Sequence, residues 1–405
     1  MAHPYTLVAI LLHNVCAVGA YSNGVLQYRV ALGLVGSMIT IGCGRFGFTH
    51  AGDEHTALGD DGPCIESSLQ VSENSMRAYE PRLVWNGTKA GVAWMEDPIP
   101  DAVHFRTISL DGTADPIASP GVLAQGEAVD AAWDGASWRL TWADDDPNRE
   151  IMTSTDGAAP RALTTNQRQD MRARVVPMSG GKTAYLWVTN QTTYDLRLTV
   201  IDAAGTTLVN ELAVVTGGGS ELLQAHQLAW TGSELVVFYP TSKNLMMLRL
   251  NPDGSRIAAP ATVGTISSSF IFASASWIGD RFLVSWNSAA GLRIAYVDVN
   301  GALLFPAVGA AGSTQWTNEV SVAIGATSDA VAWGDINGAS FLQEMSRDGT
   351  LGELHTFDNA YYPSVAWVGK RWAVALSQRV DPTPANPDSK PDYINLIQIC
   401  SAAAN

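Results

Sequence analysis

Short runs of alternating apolar and polar residues, separated by turn residues, dominate the chain from Pro81 onward. An alternation with a period of two predicts β-strands that bury one face. Gly (37 residues) and Trp (13 residues) are frequent, and charged residues make up only 16% of the 405 positions, a balance typical of short strands joined by tight turns. Because no long stretch is rich in Ala, Glu, Lys, Leu and Arg, the pattern predicts an all-β protein.

These strands recur as a repeat that carries three marks. The first mark is an apolar run that closes in Trp-x-Gly, with degenerate copies near Pro177 and Ile324: Trp85, Trp133, Trp230, Trp277 and Trp367. The second mark, about nine residues later, is a large apolar residue that closes the next strand: Trp94, Trp142, Trp187, Phe238, Trp286, Trp333 and Leu376. The third mark is a Gly-containing turn after a third strand: Asp111, Asp156, Gly205, Asp253, Asn300 and Asp348.

The spacing of the repeat predicts the fold. Residues of the second mark lie 43 to 51 positions apart, so the marks define seven units, each with three visible strands and a weaker fourth. Units of this length predict a seven-bladed β-propeller of four-stranded antiparallel blades, because no such sheet can bury both its faces alone. Ten of the 13 Trp residues occupy the first two marks, and we expect them to pack each blade on the next.

Closure of the ring is predicted from the two ends of the repeat. The seventh unit stops after a strand around Tyr393–Ile399, without a fourth strand, whereas Ile65–Val71 precedes the first unit and can complete the last blade. Cys64 and Cys400 would then lie at the start of the closing strand and at the end of its partner. We expect them to form a disulfide in an exported protein. The alternative is two unrelated buried thiols.

The N-terminal segment predicts export. Its apolar stretches, Tyr5–Ala20 and Val30–Cys43, are shorter than the roughly 20 residues of a membrane span, and signal peptides have apolar regions of this length. The residues before Cys43 resemble the lipobox of bacterial lipoproteins, which implies lipidation of Cys43, although Thr40 stands where the box usually has Leu. Cleavage after Ala20 and a buried N-terminal strand or helix are the alternatives.

Three regions follow from this interpretation. Residues 1–42 form the signal segment, with Val25 as a candidate for the true start, residues 43–63 form a Gly- and Asp-rich flexible tether, and residues 64–405 form the propeller. The protein is expected to be a monomer that meets the membrane only through its lipid anchor.

Net charge and motif spacing argue against nucleic-acid sites, metal sites and sialidase Asp-boxes. The net charge of −15, without a Lys/Arg cluster, argues against nucleic-acid binding. Asp144–Asn148 lacks the spacing of a calcium loop, and His104, His226 and His355 have no neighbours at metal-ligand spacing, so no metal or cofactor is predicted. The Gly-containing turns lack the Ser and Trp of sialidase Asp-boxes, and no arginine cluster is evident.

Candidate ligand-binding residues lie where the innermost strand of each blade begins. Ligands of propellers usually bind at that face, which is an analogy between folds. The predicted ligand-binding residues are Tyr79, Glu80, Asp170, Arg172, His226, Glu319, Tyr361 and Tyr362. Ordinary solvated loop polarity is the alternative. The Pro-rich loop Gln378–Asp392 on the same face is a candidate partner contact or a tolerated insertion.

Three stretches, PSVAWVG at Pro363, GVAW at Gly91 and LDGT at Leu110, resemble the Trp-rich repeats of propellers that Gram-negative bacteria secrete or anchor by lipid. The resemblance covers about Cys64 to Cys400, and many such proteins have no known function. It implies an exported protein at the outer membrane or cell surface, or a secreted one, and Gly44 after the lipid cysteine favours the outer membrane.

Two functions are therefore expected. The first is a non-catalytic binding or scaffold module for a carbohydrate or a protein, and the second is an extracytoplasmic glycan hydrolase, sialidase-like or another glycosidase. No catalytic residue is assigned. If charged residues converge near the axis of the ring, the hydrolase remains a candidate function. If no such cluster is found, the hydrolase function is excluded.

Overall fold

The computed structural model describes 7–12, 15–22, 25–28, 67–72, 77–97, 101–109, 123–266, 272–314, 317–379 and 392–400. The chain divides into two compact units, Met1–Arg45 and Phe46–Asn405. The first unit contains a three-stranded antiparallel sheet of β1 (Leu7–Leu12), β2 (Val15–Ser22) and β3 (Val25–Tyr28). The predicted lipid site Cys43 and the tether, residues 43–63, lie outside the described residues.

The second unit is a β-propeller whose described strands form seven four-stranded antiparallel blades. Blade 1 has β5 (Ala78–Trp85), β6 (Lys89–Glu96), β7 (Ala102–Ser109) and β8 (Ala124–Gln125). Blade 2 has β9 (Glu127–Trp133), β10 (Trp138–Ala143), β11 (Ile151–Thr155) and β12 (Arg161–Ala162). Blade 3 has β13 (Gln169–Pro177), β14 (Thr183–Asn190), β15 (Tyr194–Ile201) and β16 (Thr207–Gly218). Blade 4 has β17 (Gln227–Trp230), β18 (Leu235–Pro240), β19 (Asn244–Leu250) and β20 (Ala261–Thr265). Blade 5 has β21 (Ala273–Trp277), β22 (Phe282–Ser288), β23 (Gly291–Val297) and β24 (Val308–Gly309).

The last two blades contain the remaining strands and the closing strand. Blade 6 has β25 (Thr317–Ile324), β26 (Ser328–Asp335), β27 (Ala339–Ser346) and β28 (Leu351–Asp358). Blade 7 has β29 (Ala360–Trp367), β30 (Arg371–Arg379), β31 (Asp392–Cys400) and β4 (Ser67–Gln70). The described helical residues are a 3-10 turn, Ser179–Gly181, and the short α1 (Leu222–Ala225). None of the described helices has the length and apolar character to cross a membrane.

The blades stand in a ring around a central channel. The first strand of each blade lies beside the first strands of the two neighbouring blades, and β29 of the last blade lies beside β5 of the first. We call the face at which these innermost strands begin the mouth face, and the opposite face, with the Trp-x-Gly hairpins, the turn face. The seven-bladed fold predicted from the repeat is therefore confirmed.

Closure by the N-terminal strand is also confirmed. Strand β4 pairs with β31 in antiparallel register, with Gln70 opposite Asn395 and Ser67 opposite Gln398. The backbone N–H of Val71 donates to the carbonyl of Ile394 at 2.7 Å and extends the pairing. Cys400 forms a disulfide. Its predicted partner Cys64 lies outside the described residues, so the pairing itself stays a prediction.

The Trp-x-Gly mark forms the hairpin between the first two strands of a blade. In blade 2, Gly135 has a φ of 96°, a left-handed conformation that glycine adopts without strain. The Asp134 carboxylate accepts hydrogen bonds from the backbone of Ala136 and Ser137 and fixes the turn. The Trp133 ring then packs on Trp138 at the start of the next strand, with 4.8 Å between centroids. The first mark thus stabilises its own hairpin.

The second mark supplies the core between blades, as predicted. Trp94, Trp142, Trp187, Phe238 and Trp333 are fully buried, and Trp286 is 3% exposed. One cluster joins apolar residues of blade 1 to Trp142 of blade 2. Blade 7 has the smaller Leu376 at this position, but the fully buried Trp372 lies in the same cluster and packs against Gly325 of blade 6. The last blade thereby keeps a large aromatic at its interface with blade 6.

Candidate functional site

Two equivalent positions of the innermost strands supply the candidate site. Positions are counted back from the residue that closes the first mark, which is Trp in five blades, Pro177 in blade 3 and Ile324 in blade 6. The upper ring consists of the residues five positions before it, of which Ala225 and Phe272 lie just ahead of their strands: Glu80, Ala128, Arg172, Ala225, Phe272, Glu319 and Tyr362. The lower ring consists of the residues three positions before it: Arg82, Asp130, Arg174, Gln227, Ser274, Ser321 and Ser364. The upper ring contains four of the predicted ligand-binding residues.

The backbone of the upper ring is unusual. Glu80, Ala128, Arg172, Glu319 and Tyr362 all have positive φ, between 36° and 56°. At each of these places the pairing of the first and second strands shifts register, which is the mark of a β-bulge. A bulge redirects a side chain out of the regular alternation, and left-handed non-glycine residues concentrate at functional sites. The same device therefore recurs in five blades at one level of the channel.

An ion pair crosses the channel between the two rings. The Arg82 guanidinium of blade 1 lies 2.8 Å from the Glu319 carboxylate of blade 6, and these side chains are 13% and 10% exposed. Arg82 also lies 4.0 Å from Asp130 of blade 2. Since blade 7 separates blades 1 and 6 in the ring, their side chains can meet only in the channel. Charged side chains from blades 1, 2 and 6 therefore converge near the axis.

Blade 3 adds two arginines to this cluster. Arg174 is buried, and its Nε donates to the carbonyl of His226 at 3.3 Å. Burial lowers the pKa of Arg174, and the positive charge of Arg82 lowers it further. The Arg172 guanidinium has neither a hydrogen bond nor an ion pair with any of the described residues, although its charge acts on Glu80 and Glu319. The sequence indicated no arginine cluster, and the structure corrects that expectation.

The two upper-ring carboxyl groups have opposite electrostatic environments. Burial raises the pKa of Glu80, and the negative charge of Glu319 adds to the rise against the opposing effect of Arg172. Burial acts on Glu319 in the same direction, but Arg82, Arg174 and Arg172 outweigh it and lower the pKa of Glu319. Two neighbouring carboxyl groups whose pKa values are shifted in opposite directions are the arrangement that general acid and base chemistry uses. When Glu80 is protonated, it can also donate a hydrogen bond to a ligand.

Three tyrosines border the upper ring at the seam between blades 7 and 1. The half-buried rings of Tyr79 and Tyr361 lie 6.5 Å and 6.4 Å from that of Tyr362. Burial raises the pKa of Tyr362, and the nearby Glu80 carboxyl contributes to the rise. Burial, together with a hydrogen bond to Asp101, raises the pKa of Tyr79. These three residues, which we call the tyrosine wall, present neutral rings with hydroxyl groups next to the charged cluster.

A clamp of two arginines holds the seam on the mouth face. Asp392 accepts from the Nε of Arg77 at 3.1 Å and from the Nε of Arg379 at 3.3 Å. The guanidinium of Arg77 lies over Tyr79, and that of Arg379 over Tyr361. The Pro-rich loop begins and ends at this clamp. Its residues 380–391 lie outside the described part of the chain.

Two of the predicted ligand-binding residues are committed to the protein itself. Asp170 is fully buried and accepts hydrogen bonds from Thr189 and Asn166. His226 is fully buried, with its ring nitrogens 2.8 Å from the carbonyl of Leu222 and 2.6 Å from that of Arg172. Burial, helped by the Arg174 charge, lowers the pKa of His226 to about 3. The imidazole supports the upper ring from behind and, when neutral, donates to one of the two carbonyls, because a neutral ring carries a single N–H.

The lower ring was not predicted from the sequence. Arg82, Asp130 and Arg174 each lie two positions after an upper-ring residue in the same strand. Their shared distance to the end of the first mark, including its degenerate copy at Pro177, is the signal that would have found them. Within the described ranges, no three His, Cys, Asp or Glu side chains are grouped as metal ligands.

Comparisons with known proteins agree on the fold. No family model matches the chain, and no curated protein matches it. Among solved structures, a puromycin-hydrolysing peptidase of Mycobacterium tuberculosis is similar with a TM-score of 0.52 at 13% identity, over 82% of this chain and 52% of that one. This chain thus spans about half of the peptidase, and at such identity the similarity shows the fold alone.

Two further structures are similar at lower scores. The β-propeller domain of the Trilobed protease of Pyrococcus furiosus has a TM-score of 0.47 at 8% identity, over 79% of this chain and 94% of that one. A subtype N10 neuraminidase-like protein from a little yellow-shouldered bat isolate has a TM-score of 0.44 at 10% identity, over 83% and 98% of the chains.

Proposed function

We propose that this chain is an exported, lipid-anchored propeller of the Trp-rich repeat type, which acts as a monomeric, non-catalytic binding or scaffold module. Its ligand, a carbohydrate or a protein, binds on the mouth face at the upper ring and the tyrosine wall. The observation that carries the proposal is the convergence of Glu80, Arg172, Glu319 and Tyr362 from blades 1, 3, 6 and 7 at one level of the channel.

The rigidity of this arrangement favours a binding role. The innermost strands that carry Glu80, Arg172, Glu319 and Tyr362 pair with the second strand of their blade on both sides of the bulge. Hydrogen bonds also link neighbouring innermost strands. The backbone N–H of Leu83 in blade 1, for example, donates to the Ser364 hydroxyl of blade 7 at 3.0 Å. A site that is already ordered before binding loses little conformational entropy when the ligand arrives. Ring side chains with hydroxyls, such as tyrosine, suit such a surface.

A screen of the purified full chain on a glycan array and against candidate proteins tests the binding role. We expect saturable binding that Tyr362→Ala weakens by about tenfold or more, since a buried aromatic contact commonly contributes more than 1 kcal/mol. Phe305→Ala, which removes a ring that is 41% exposed on the outer part of blade 5, is the matched control and should leave binding unchanged. Binding that survives Tyr362→Ala would place the ligand elsewhere.

Export and anchoring need a separate test. Cell fractionation of the full chain should recover it with membranes, and Cys43→Ala should release it to the soluble fraction. Unchanged membrane recovery of Cys43→Ala would contradict lipidation at that residue, whatever the ligand.

A glycan-acting hydrolase is the second candidate. The observation that favours it is the pair of upper-ring carboxyls, because the pKa of Glu80 is raised by burial while that of Glu319 is lowered by its arginine neighbours. Incubation of any bound glycan with the wild type and with Glu80→Gln tests this role. Cleavage that disappears in Glu80→Gln supports a hydrolase, and binding without cleavage leaves the binding module.

A further inference from the structure

Of the three guanidiniums in the channel, those of Arg82, Arg172 and Arg174, only that of Arg82 forms an ion pair with a carboxylate of the described residues. Arg82 has the carboxylates of Glu319 and Asp130 within 4.0 Å, whereas neither Arg172 nor Arg174 has a carboxylate of any described residue at that distance. Arg174 is 8% exposed and uses its Nε on a backbone carbonyl. Two guanidiniums from one strand therefore face the channel without a carboxylate partner. An anionic group of a ligand would supply the missing partner.

We propose that the ligand of the mouth face is a carboxylated sugar, and that Arg172, with Arg174 behind it, binds the carboxylate while the tyrosine wall contacts the sugar ring. This inference rests on the proposed binding function and specifies its ligand class. Arg172 is the upper-ring member of the pair and is only partly buried, so it meets the ligand first. Arg174 lies one ring deeper and adds its charge.

The neighbours of Arg172 favour a single negative charge over a phosphate dianion. Guanidinium forks bind both carboxylates and phosphates in a bidentate manner. However, the carboxyl groups of Glu80 and Glu319 are close enough to interact electrostatically with Arg172. When Glu80 is protonated, the three guanidiniums face two carboxylates, those of Glu319 and Asp130, so one further negative charge balances the channel and a dianion exceeds that balance. Glu80, when protonated, can donate to the same carboxylate rather than repel it.

The tyrosine wall favours a sugar ring next to the carboxylate. Tyr362 lies in the upper ring itself, and neither face of its ring is covered by an arginine of the described residues, unlike those of Tyr79 and Tyr361. Its hydroxyl is close enough to Glu80 for the charge of that carboxyl to raise its pKa, after the larger effect of burial. A pyranose ring offers both an apolar face for the tyrosine ring and hydroxyls for these polar groups. A flexible aliphatic acid offers neither.

The test compares charged and neutral forms of one sugar. Isothermal titration calorimetry of the full chain uses tetramers of galacturonic acid and of guluronic acid and sialylated lactose, each also as its methyl ester. We expect at least one acid to bind about tenfold to a hundredfold more tightly than its ester, as for hydrogen bonds between charged groups. Arg172→Gln should bring that ratio close to one, and Arg172→Lys should restore part of it.

Arg281→Gln is the matched control, because it removes the same charge from an exposed pair with Asp280 on blade 5. It should leave the ratio unchanged. Thermal melts of the Arg172 variants verify that they fold. If Arg172→Gln did not fold, Arg172→Lys would be the test variant, because it keeps the charge but loses the guanidinium fork. An acid-to-ester ratio for Arg172→Lys equal to that of the wild type would then overturn the inference.

The outcomes separate this inference from the proposed function. Equal binding of acids and esters, or of neutral glycans only, overturns the inference and leaves the binding function standing. Binding of peptides through a free C-terminal carboxylate, but of no glycan, overturns the sugar assignment. No binding of any glycan or protein overturns both.

Discussion

Arg82 of blade 1 and Glu319 of blade 6 form an ion pair at 2.8 Å that bridges two blades which are not neighbours in the ring. The pair lies in the channel below the mouth and links blades 1 and 6 past the intervening blade 7. Its geometry depends on the closed ring, because only closure brings blade 1 next to blade 7 and within reach of blade 6. The pair is therefore part of both the candidate site and the stability of the fold.

Removing one partner of the Arg82–Glu319 ion pair should lower the free energy of unfolding. Glu319→Gln leaves a guanidinium in the channel without its closest partner, so we expect a loss of about 3 kcal/mol in the free energy of unfolding. Replacing both residues, as in Arg82→Met with Glu319→Leu, should recover most of that loss. Urea denaturation measures both. For the exposed Arg281–Asp280 pair, Asp280→Asn should cost less than about 1 kcal/mol, and an equal loss at both sites would contradict the special role of the channel pair.

Two tryptophans of the second mark should respond differently to the same substitution. The indole N–H of Trp286 donates to the carbonyl of Thr265 at 3.1 Å, whereas that of Trp333 has no hydrogen-bond partner among the described residues. Trp→Phe removes similar volume at both sites but leaves a carbonyl unsatisfied only at Thr265. We expect Trp286→Phe to cost about 1 kcal/mol more than Trp333→Phe, measured by chemical denaturation. Equal costs would mean that packing alone decides.

His226 should make the protein sensitive to acid. Burial, with the Arg174 charge, lowers the pKa of His226 to about 3 in the folded state, while the unfolded chain takes up the proton near pH 6.5. Stability is therefore lost as the pH falls through this window, by up to about 1.4 kcal/mol per pH unit. The destabilisation caused by His226→Gln should be largest at pH 7 and shrink toward pH 4. A difference between variant and wild type that stays constant with pH would contradict this.

Glu80 should have the opposite effect on pH dependence. Burial and the charge of Glu319 raise its pKa, so above the ordinary value of 4.5 the folded protein keeps a proton that the unfolded chain has released. Stability from this group falls as the pH rises through its folded pKa. Glu80→Gln removes the titration, and its stability relative to wild type should rise from pH 4 to pH 8. Glu353→Gln on the exposed outer strand β28 is the control for the added amide.

The disulfide of Cys400 should fix the seam of the ring. If its partner is Cys64, the bond closes a loop of more than 300 residues and contributes up to about 5 kcal/mol in the loop-entropy model. We expect Cys400→Ser to lower the melting temperature and to free one thiol that alkylates at Cys64, detected by peptide mass mapping. Two free thiols in the oxidised, denatured wild type would exclude the bridge.

The sequence was sufficient for the fold because each blade repeats its own local signals. The Trp of the first mark, its hairpin and the second aromatic all lie within one unit, so their spacing can be counted along the chain. The closing strand was predicted for the same reason, since the seventh unit visibly lacks a fourth strand. The sequence also showed that Leu376 replaces the second aromatic residue in blade 7. That Trp372 supplies a large aromatic in its place was evident only from the packing of blade 7 on blade 6.

The candidate site was harder to predict because it is assembled across the ring. Arg82, Arg174 and Glu319 are separated by about a hundred residues or more, and nothing local connects them. Asp170 lies two positions before the upper-ring position of its blade and His226 one position after that of the next blade, and both are buried in hydrogen bonds behind the ring. Whether a side chain enters the channel depends on the bulge in its strand, which the alternation of apolar and polar residues does not reveal.

The direction of the closing strand β4 determines at which face of the propeller the described chain begins. Ser67 lies opposite Gln398 and Gln70 opposite Asn395, so β4 runs from the turn face toward the mouth face. Strand β4 therefore begins at the turn face of blade 7, where Cys400 also lies. Any group attached to Ser67 would leave the entrance lined by Arg172 and the tyrosine wall unobstructed.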